Sequence, residues 1–152
     1  MSGIFNLLDA DLGGTIEAGP FRHRRASVRE ALGGEQFGSS VYELRPGERM
    51  WPYHYHLGNE EWLIVVSGRP TLRTPEGERV LEPGEVVGFV EGEAGAHTLS
   101  NERAAPARVV IFSTLRYGNA VYPDSDKIGA GPGDDRRYFR RGDAVDYLDG
   151  EQ

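Results

Sequence analysis

The feature that most constrains the fold is the regular punctuation of residues 39–114 by glycine and proline. Segments that favour β-strands recur about every ten residues, and turn signals separate nearly all of them. The chain has 21 glycines and 9 prolines among 152 residues, a density that favours many short strands over long helices. The pattern predicts an all-β sandwich or barrel. The predicted strands cover residues 39–44, 50–55, 61–66, 70–74, 79–81, 86–90, 96–100 and 107–114.

The length predicts one domain with one core and terminal extensions. We expect residues 1–38 to form an N-terminal extension that packs on the barrel, and residues 39–116 to form the barrel domain. Residues 117–152 are expected to be a C-terminal loop and a returning tail. Within them, residues 122–135 are rich in Asp, Gly and Pro and predict a loop, whereas residues 138–148 carry apolar side chains again. Residues 26–32 fit a helical turn and a strand equally well.

Composition and charge exclude several classes of function. The net charge is −7 and no basic stripe is present, which argues against nucleic acid as a partner. Residues 22–25, Arg-His-Arg-Arg, form a local basic cluster, interpreted as a solvated segment or, alternatively, as a contact to an anionic ligand. The absence of cysteine excludes disulfides and thiolate metal sites. No signal peptide or stretch of about 20 apolar residues is present, so we expect a cytoplasmic protein without a membrane partner.

A candidate metal site lies in residues 47–68. His54 and His56 are two residues apart, so on a strand their side chains point to the same face. Gly58 and Asn59 mark a turn, after which Glu61 opens an apolar strand. Two imidazoles and a carboxylate that converge after a turn are typical ligands of a divalent first-row metal. His97, on a later predicted strand, could complete the set.

The strand that begins at Glu61 is apolar on both faces, because Leu63 and Val65 share the face of Glu61 while Trp62, Ile64 and Val66 share the other. Such a strand is covered on both sides. A second sheet can cover one side, and a partner subunit or a terminal segment the other. A carboxylate at its head needs a partner, since a buried unpaired charge is costly, and a metal ion supplies one.

These residues resemble the two motifs of the cupin superfamily. The first is carried by Gly47, His54, His56, Glu61 and Gly68, with six residues before His54 where five are usual. The second is carried by Gly84, Gly92, His97 and Asn101. In the second motif Val90 replaces the usual proline, and four residues rather than two separate Gly92 from His97. The wider pattern is similar to a largely uncharacterised subgroup of small single-domain bacterial cupins.

The resemblance implies a double-stranded β-helix, or jelly roll, with one divalent metal inside its mouth. The residues at the family's ligand positions are His54, His56, Glu61 and His97, so the resemblance implies that they bind the metal, with Glu60 as the alternative carboxylate. Fe, Mn, Zn, Ni and Co all suit such a set, and the sequence does not choose among them. The implied function is that of a metalloenzyme of dioxygenase, isomerase or decarboxylase type that acts on a small carboxylate or sugar-like substrate. The alternatives are a small-ligand-binding barrel without catalysis and a metal that only stabilises the fold. A homodimer is expected.

Residues of three other types, tyrosine, asparagine and arginine, lie near the motifs. Tyr53 and Tyr55 alternate with the histidines and are expected to face away and pack. Asn101 shares the strand parity of His97 and either orients the site or holds a turn. Arg69 and Arg73 share one strand face, which is either solvent-exposed or directed at a substrate carboxylate.

Overall fold

The computed structural model describes residues 3–114, 118–132 and 135–151 of the chain. The described residues contain one α-helix, α1 (Val28–Leu32), and otherwise short 3-10 turns and strands. In chain order the strands are β1 (Thr15–Ala18), β2 (Phe21–Ser27), β3 (Phe37–Leu44), β4 (Tyr55–Leu57), β5 (Glu61–Ser67), β6 (Thr71–Thr74), β7 (Gly77–Val80), β8 (Val86–Phe89), β9 (Thr98–Ser100), β10 (Ala107–Thr114), β11 (Asn119–Tyr122), β12 (Lys127–Ala130) and β13 (Arg137–Arg140). The all-β prediction is confirmed.

The strands form two facing layers. The larger layer is one antiparallel sheet in the order β1-β2-β3-β10-β5-β8. The other layer has two parts, β7-β6-β9 and β13-β12-β11-β4. The segment between Arg49 and His54 joins these parts, since Arg49 bridges Ser100 and His54 bridges His97 in antiparallel fashion. The prediction of a continuous strand over residues 50–55 is therefore wrong: that segment is held by isolated bridges, and β4 begins only at Tyr55.

The main core lies between the two layers. Its members are buried apolar side chains that alternate along the strands, as a two-layer fold requires. On β5 they are Leu63 and Val65, whose side chains have 0% and 2% of their surface exposed. Glu61, the first residue of β5, points to the same side. The rest of this cluster is Leu44, Met50, Leu72, Leu81, Phe89, Leu99, Val109 and Ile111.

A second, smaller core covers the outer face of the larger sheet. Val41 and Val110 are buried there by Leu12 and Val28, with further apolar contacts from the N-terminal segment and from Ile64 and Val66 of β5. Arg108 fixes this segment, since its guanidinium donates to the carbonyls of Leu7 and Leu8 and pairs with Glu43 at 2.7 Å. A terminal segment thus covers much of the second apolar face of β5.

Residues 26–32, whose sequence fits a helical turn and a strand equally well, contain the end of a strand and the whole of α1. β2 ends at Ser27, whose Oγ accepts a hydrogen bond from the amide of Glu30 and so caps α1. Gly33 ends the helix at φ 68°, a left-handed conformation that favours glycine.

The predicted loop over residues 122–135 is wrong where β12 lies. β11 and β12 form a hairpin across the 3-10 turn Pro123–Ser125, and Asp126 adopts φ 47° at its end. β13 then pairs with β12 on the outside. No helix in the described ranges is long and apolar enough to cross a membrane.

Candidate metal centre

Three donor groups converge where the two layers meet at one end of the barrel. His54 lies just before β4, His56 lies within β4, and Glu61 is the first residue of β5 in the opposite layer. One ligand atom from each lies within 4.8 Å of the others. His54 Nε2 and His56 Nε2 are 3.2 Å apart, and His56 Nε2 is 3.2 Å from Glu61 Oε2.

His97 lies beside this group, immediately before β9, where it forms an isolated antiparallel bridge with His54. The two residues exchange backbone hydrogen bonds of 3.1 and 2.8 Å, which fixes their register. His97 falls outside the 4.8 Å set, although its Nε2 is 3.4 Å from Glu61 Oε2. The four residues between Gly92 and His97 are accommodated by a 3-10 turn, Glu93–Gly95, and His97 enters the interior with 1% of its surface exposed.

The structure places Glu61, and not Glu60, next to the histidines. Glu60 is exposed on the opposite side of the strand, where its Oε1 accepts a 3.4 Å hydrogen bond from the indole of Trp62. The alternation of side chains along β5 explains the difference, because consecutive residues face opposite sides of a sheet.

The backbone sets the tautomers of two histidines. Nδ1 of His54 lies 2.9 Å from the carbonyl oxygen of Pro52, and Nδ1 of His97 lies 2.9 Å from that of Gly95. A carbonyl oxygen only accepts, so each Nδ1 carries the proton and each Nε2 presents a lone pair. Such an outer hydrogen bond is the usual way in which a metal-binding histidine is oriented.

The donor set fits a divalent cation. Two nitrogens bound to one ion at about 2.1 Å, at right angles, lie about 3 Å apart, close to the spacing of the two Nε2 atoms. Within the described part of the chain, the buried Nε2 of His97 has no hydrogen-bond partner, so its lone pair faces the cluster unused. Lone pairs and a carboxylate that face one another repel unless a cation or protons lie between them.

Burial and the neighbouring charges shift two pKa values in this cluster. Burial, assisted by the imidazoles of His97 and His56, lowers the pKa of His54 to about 3. Burial by itself raises the pKa of the Glu61 carboxyl, but the imidazoles of His56 and His97 outweigh it and hold that pKa well below its usual range. Both groups are therefore in their metal-binding protonation states at neutral pH.

Aromatic rings hold the imidazoles in place. Phe89 stacks on His97 at a centroid distance of 3.7 Å and an interplanar angle of 6°. Trp51 meets the edges of His54 and His97 at 5.9 and 6.4 Å, and Tyr122 stacks on His54 at 5.8 Å. These contacts restrict ring rotation and exclude water from the inner side of the cluster.

The other residues with two interpretations are placed as follows. Tyr53 lies away from the cluster, with the Arg73 guanidinium 4.0 Å above its ring. Arg73 binds Asp124 through two hydrogen bonds of 2.6 and 2.9 Å, and Arg69 pairs with Glu82. Both arginines thus meet carboxylates of their own chain.

Asn101 serves a turn. Its Nδ2 donates to the carbonyls of Leu44 and Ala105, both at 2.9 Å, and its Oδ1 accepts from the amide of Arg103 at 3.0 Å.

Two cavities are relevant to ligands. One of about 290 Å³ opens against Glu61 and is lined by side chains from β2, β3 and β10, among them Arg25, Ser40, Tyr42 and Ser113. Sequence reasoning named Arg25 only within the basic cluster of residues 22–25, with an anionic ligand as the alternative, and it missed Ser40, Tyr42 and Ser113. Strand alternation within residues 21–27 would have separated Arg25 and His23 from Arg22 and Arg24. The other cavity, about 340 Å³, lies over the outer face of β6 and β9 around Tyr53 and Arg73, and none of the four candidate ligands lines it.

Comparison with known proteins identifies the fold. The family model for the cupin domain matches residues 40–113. Residues 40–113 are a cupin domain. This confirms the predicted membership of the cupin superfamily and the predicted barrel, and the His-His-Glu cluster lies within the matched residues. No curated protein sequence matches the chain.

Three solved structures are similar to most of the chain. A sugar phosphate isomerase of the cupin superfamily from Silicibacter pomeroyi is 26% identical, with a TM-score of 0.75 over 84% of this chain and 82% of that one. A protein from Acidithiobacillus ferrooxidans, whose assignment as a sugar phosphate isomerase is provisional, is 24% identical, with a TM-score of 0.76 over 82% and 80%. A polyketide cyclase from Streptomyces resistomycificus is 20% identical, with a TM-score of 0.57 over 76% and 81%. The last two likenesses concern the fold alone.

Proposed function

We propose that this cupin is a divalent-metal-dependent isomerase of a small phosphorylated sugar. The observation that carries the proposal is the convergence of His54 Nε2, His56 Nε2 and Glu61 Oε2 at the edge of a cavity in the barrel. The substrate class is supported by the similarity to the Silicibacter pomeroyi protein described as a sugar phosphate isomerase.

The residues around the cluster would have separate roles in this reaction. His54, His56 and Glu61 would hold the ion, with His97 in reach of Glu61 as a fourth ligand. When bound, the ion supplies a Lewis acid that polarises a carbonyl or hydroxyl oxygen of the substrate. Trp51 and Phe89 keep the inner side dry, so that charges at the site interact strongly. The substrate is expected to enter from the side of the cavity that Glu61 faces.

The first experiment measures metal content in two matched variants. Glu61→Gln removes the carboxylate that faces the histidines, whereas Glu60→Gln removes its exposed neighbour. We expect about one first-row metal per chain in the wild type and in Glu60→Gln, and a loss of about tenfold or more in metal affinity in Glu61→Gln. Equal metal content in both variants would remove Glu61 from the centre.

The second experiment tests the reaction. The metal-loaded protein is incubated with a panel of phosphorylated aldoses and ketoses, and the products are separated by chromatography. Interconversion that disappears in Glu61→Gln and persists in Glu60→Gln is the expected result. If a phosphorylated sugar raises the melting temperature but is not converted, the protein is a binding barrel and the isomerase proposal is wrong.

A further inference from the structure

The cavity beside Glu61 has a polar wall made by neighbouring strands. Arg25 of β2 is in register with Tyr42 of β3, and Ser40 of β3 is in register with Ile111 of β10. Ser113 follows two residues after Ile111 and so faces the same side. The guanidinium of Arg25 and the hydroxyls of Ser40, Tyr42 and Ser113 therefore line a space of about 290 Å³, near the lower end of the volumes that hold small ligands.

Arg25 differs from its neighbours on the same strand. Arg22 forms ion pairs with Glu17 and Glu48, and Arg24 forms one with Glu43. Arg25 has no carboxylate within ion-pair distance among the residues that the structure describes, and it remains exposed at the mouth of the cavity. In a protein of net charge −7, an arginine left without an acidic partner at a cavity mouth is available to an anion from solution.

Side-chain contacts orient this guanidinium. Its Nε donates a 3.0 Å hydrogen bond to Ser40 Oγ, which leaves the terminal nitrogens for another partner. The phenol of Tyr42 interacts with both Ser40 and Arg25, and its ring packs against Trp51 at 5.2 Å. Trp51 in turn touches His54, so the polar wall and the metal cluster share one rigid aromatic support.

The charges of the cavity favour an anion once the metal is present. Its acidic lining residues are Glu61, which faces the histidines, and Glu30 at the start of α1. A divalent ion on Glu61 would more than cancel that carboxylate. Arg25 and Arg29 then outweigh Glu30 at the mouth.

We propose that Arg25, with the hydroxyls of Ser40 and Tyr42, forms an oxyanion subsite that holds the phosphate or carboxylate group of the substrate at the mouth of the barrel. The identity of the substrate rests on the proposed metal-dependent function, whereas the binding of an anion by these side chains does not. A planar guanidinium donates two parallel hydrogen bonds to such a group, and the hydroxyls add donors from the side. Arg25 is thus a specificity-determining residue, separate from the metal ligands.

The test is a calorimetric titration with inorganic phosphate and, separately, with acetate. The proteins are the wild type, Arg25→Gln, Arg25→Lys, Tyr42→Phe and the control Arg69→Gln, which removes the same charge from an exposed ion pair with Glu82. Each is measured with metal and after removal of metal by a chelator, and its melting temperature is recorded. We expect Arg25→Gln to weaken phosphate binding about tenfold or more in both forms, Tyr42→Phe to weaken it less, and Arg69→Gln to leave it unchanged.

The outcomes separate this proposal from the isomerase proposal. Arg25→Lys should restore part of the affinity, and all Arg25 variants should retain the metal, because Arg25 is not a donor of the metal cluster. Phosphate affinity that is equal in the wild type and Arg25→Gln, or absent from both, overturns the subsite even if the metal centre stands. Phosphate binding that depends on Arg25 in a protein that retains no metal supports the subsite while the isomerase proposal fails. A preference for acetate over phosphate assigns the subsite to a carboxylate substrate.

Discussion

The protonation of His54 couples the stability of the metal-free protein to pH. Its pKa is lowered from 6.5 to about 3, first by burial and then by His97 and His56. The His54 imidazole therefore takes up a proton near pH 6.5 in the unfolded chain but only near pH 3 in the folded chain. The stabilisation is complete above pH 6.5 and is lost as the pH falls through this window.

We expect the free energy of unfolding of the chelator-treated protein to fall on acidification, with a contribution from His54 of at most about 1.4 kcal/mol per pH unit. Urea denaturation at several pH values measures this slope. In His54→Asn, which cannot take up that proton, the slope between pH 6.5 and 4 should be smaller. An unchanged slope would mean that His54 titrates normally in the folded state.

Asn101 is a second residue whose environment gives a clear prediction. It is completely buried, and its three side-chain hydrogen bonds all go to the backbone, two within the turn before β10 and one to Leu44 at the end of β3. Asn101→Ala leaves two carbonyls and one amide without these partners, which should cost about 2–4 kcal/mol of stability. Metal affinity should not change, because no contact of the Asn101 side chain involves the donor cluster.

Asn6→Ala is the control, since Asn6 makes one exposed hydrogen bond to the amide of Leu8 and should change stability little. Both variants are compared by chemical denaturation and by metal titration. A loss of metal affinity in Asn101→Ala at full stability would return this residue to the role of orienting the site.

At the scale of elements, the close approach of the end of β5 to β10 depends on glycine. Gly68 adopts φ 75°, and a Cβ there would lie 2.4 Å from the carbonyl oxygen of Pro106 and 2.5 Å from Cα of Ala107. Gly68→Ala should therefore destabilise the protein by about 2 kcal/mol or more. Gly14→Ala, where the φ is not left-handed and nothing lies within 4 Å, should have a small effect. Melting temperatures of the two variants give the comparison, and equal values would contradict it.

The elements that sequence predicted well are those with a buried face. Along β5 the side chains alternate between the two cores, so the position of Glu61 follows from that of Leu63 and Val65. β10 is predicted to the residue, because its apolar side chains face both cores. The cupin motifs likewise predicted four residues that the structure brings to one end of the barrel.

The elements that the sequence did not predict depend on backbone pairing more than on side-chain burial. β12 contains Gly129 and Lys127 and is stabilised by pairing with β11 and β13, so its sequence resembles a loop. The segment before His54 has an apolar pattern but pairs only through single bridges. Arg25 was not distinguished from Arg22 and Arg24, because the interpretation of residues 22–25 relied on their shared charge and did not use strand parity.

At the scale of the whole molecule, one apolar area stays exposed on the outer face of the larger sheet. Phe37, Trp62 and Phe112 lie together there, and Phe37 and Trp62 are 57% and 55% exposed. Val86, on the next strand, is 58% exposed. We propose that this area lies in the interface of the expected homodimer, since exposed apolar side chains that cluster mark association sites.

Light scattering after gel filtration tests the interface. The wild type should elute as a dimer, and Trp62→Lys should shift the population toward the monomer, because a charge would be buried without a partner. Tyr147→Ser changes an aromatic residue that is 93% exposed in the tail and should leave the dimer intact. A monomeric wild type would exclude this interface.

The candidate ligands belong to opposite layers of the barrel: Glu61 opens β5 of the larger sheet, whereas His54, His56 and His97 lie in the other layer. An ion shared among them would link the two layers at that end, in addition to the 2.9 Å hydrogen bond that the amide of Gly92 donates to the carbonyl of His56. Separation of the layers would then require the ion to leave first. The lifetime of the folded protein in denaturant should therefore lengthen with metal concentration, so that the chain persists longest where its ion is abundant.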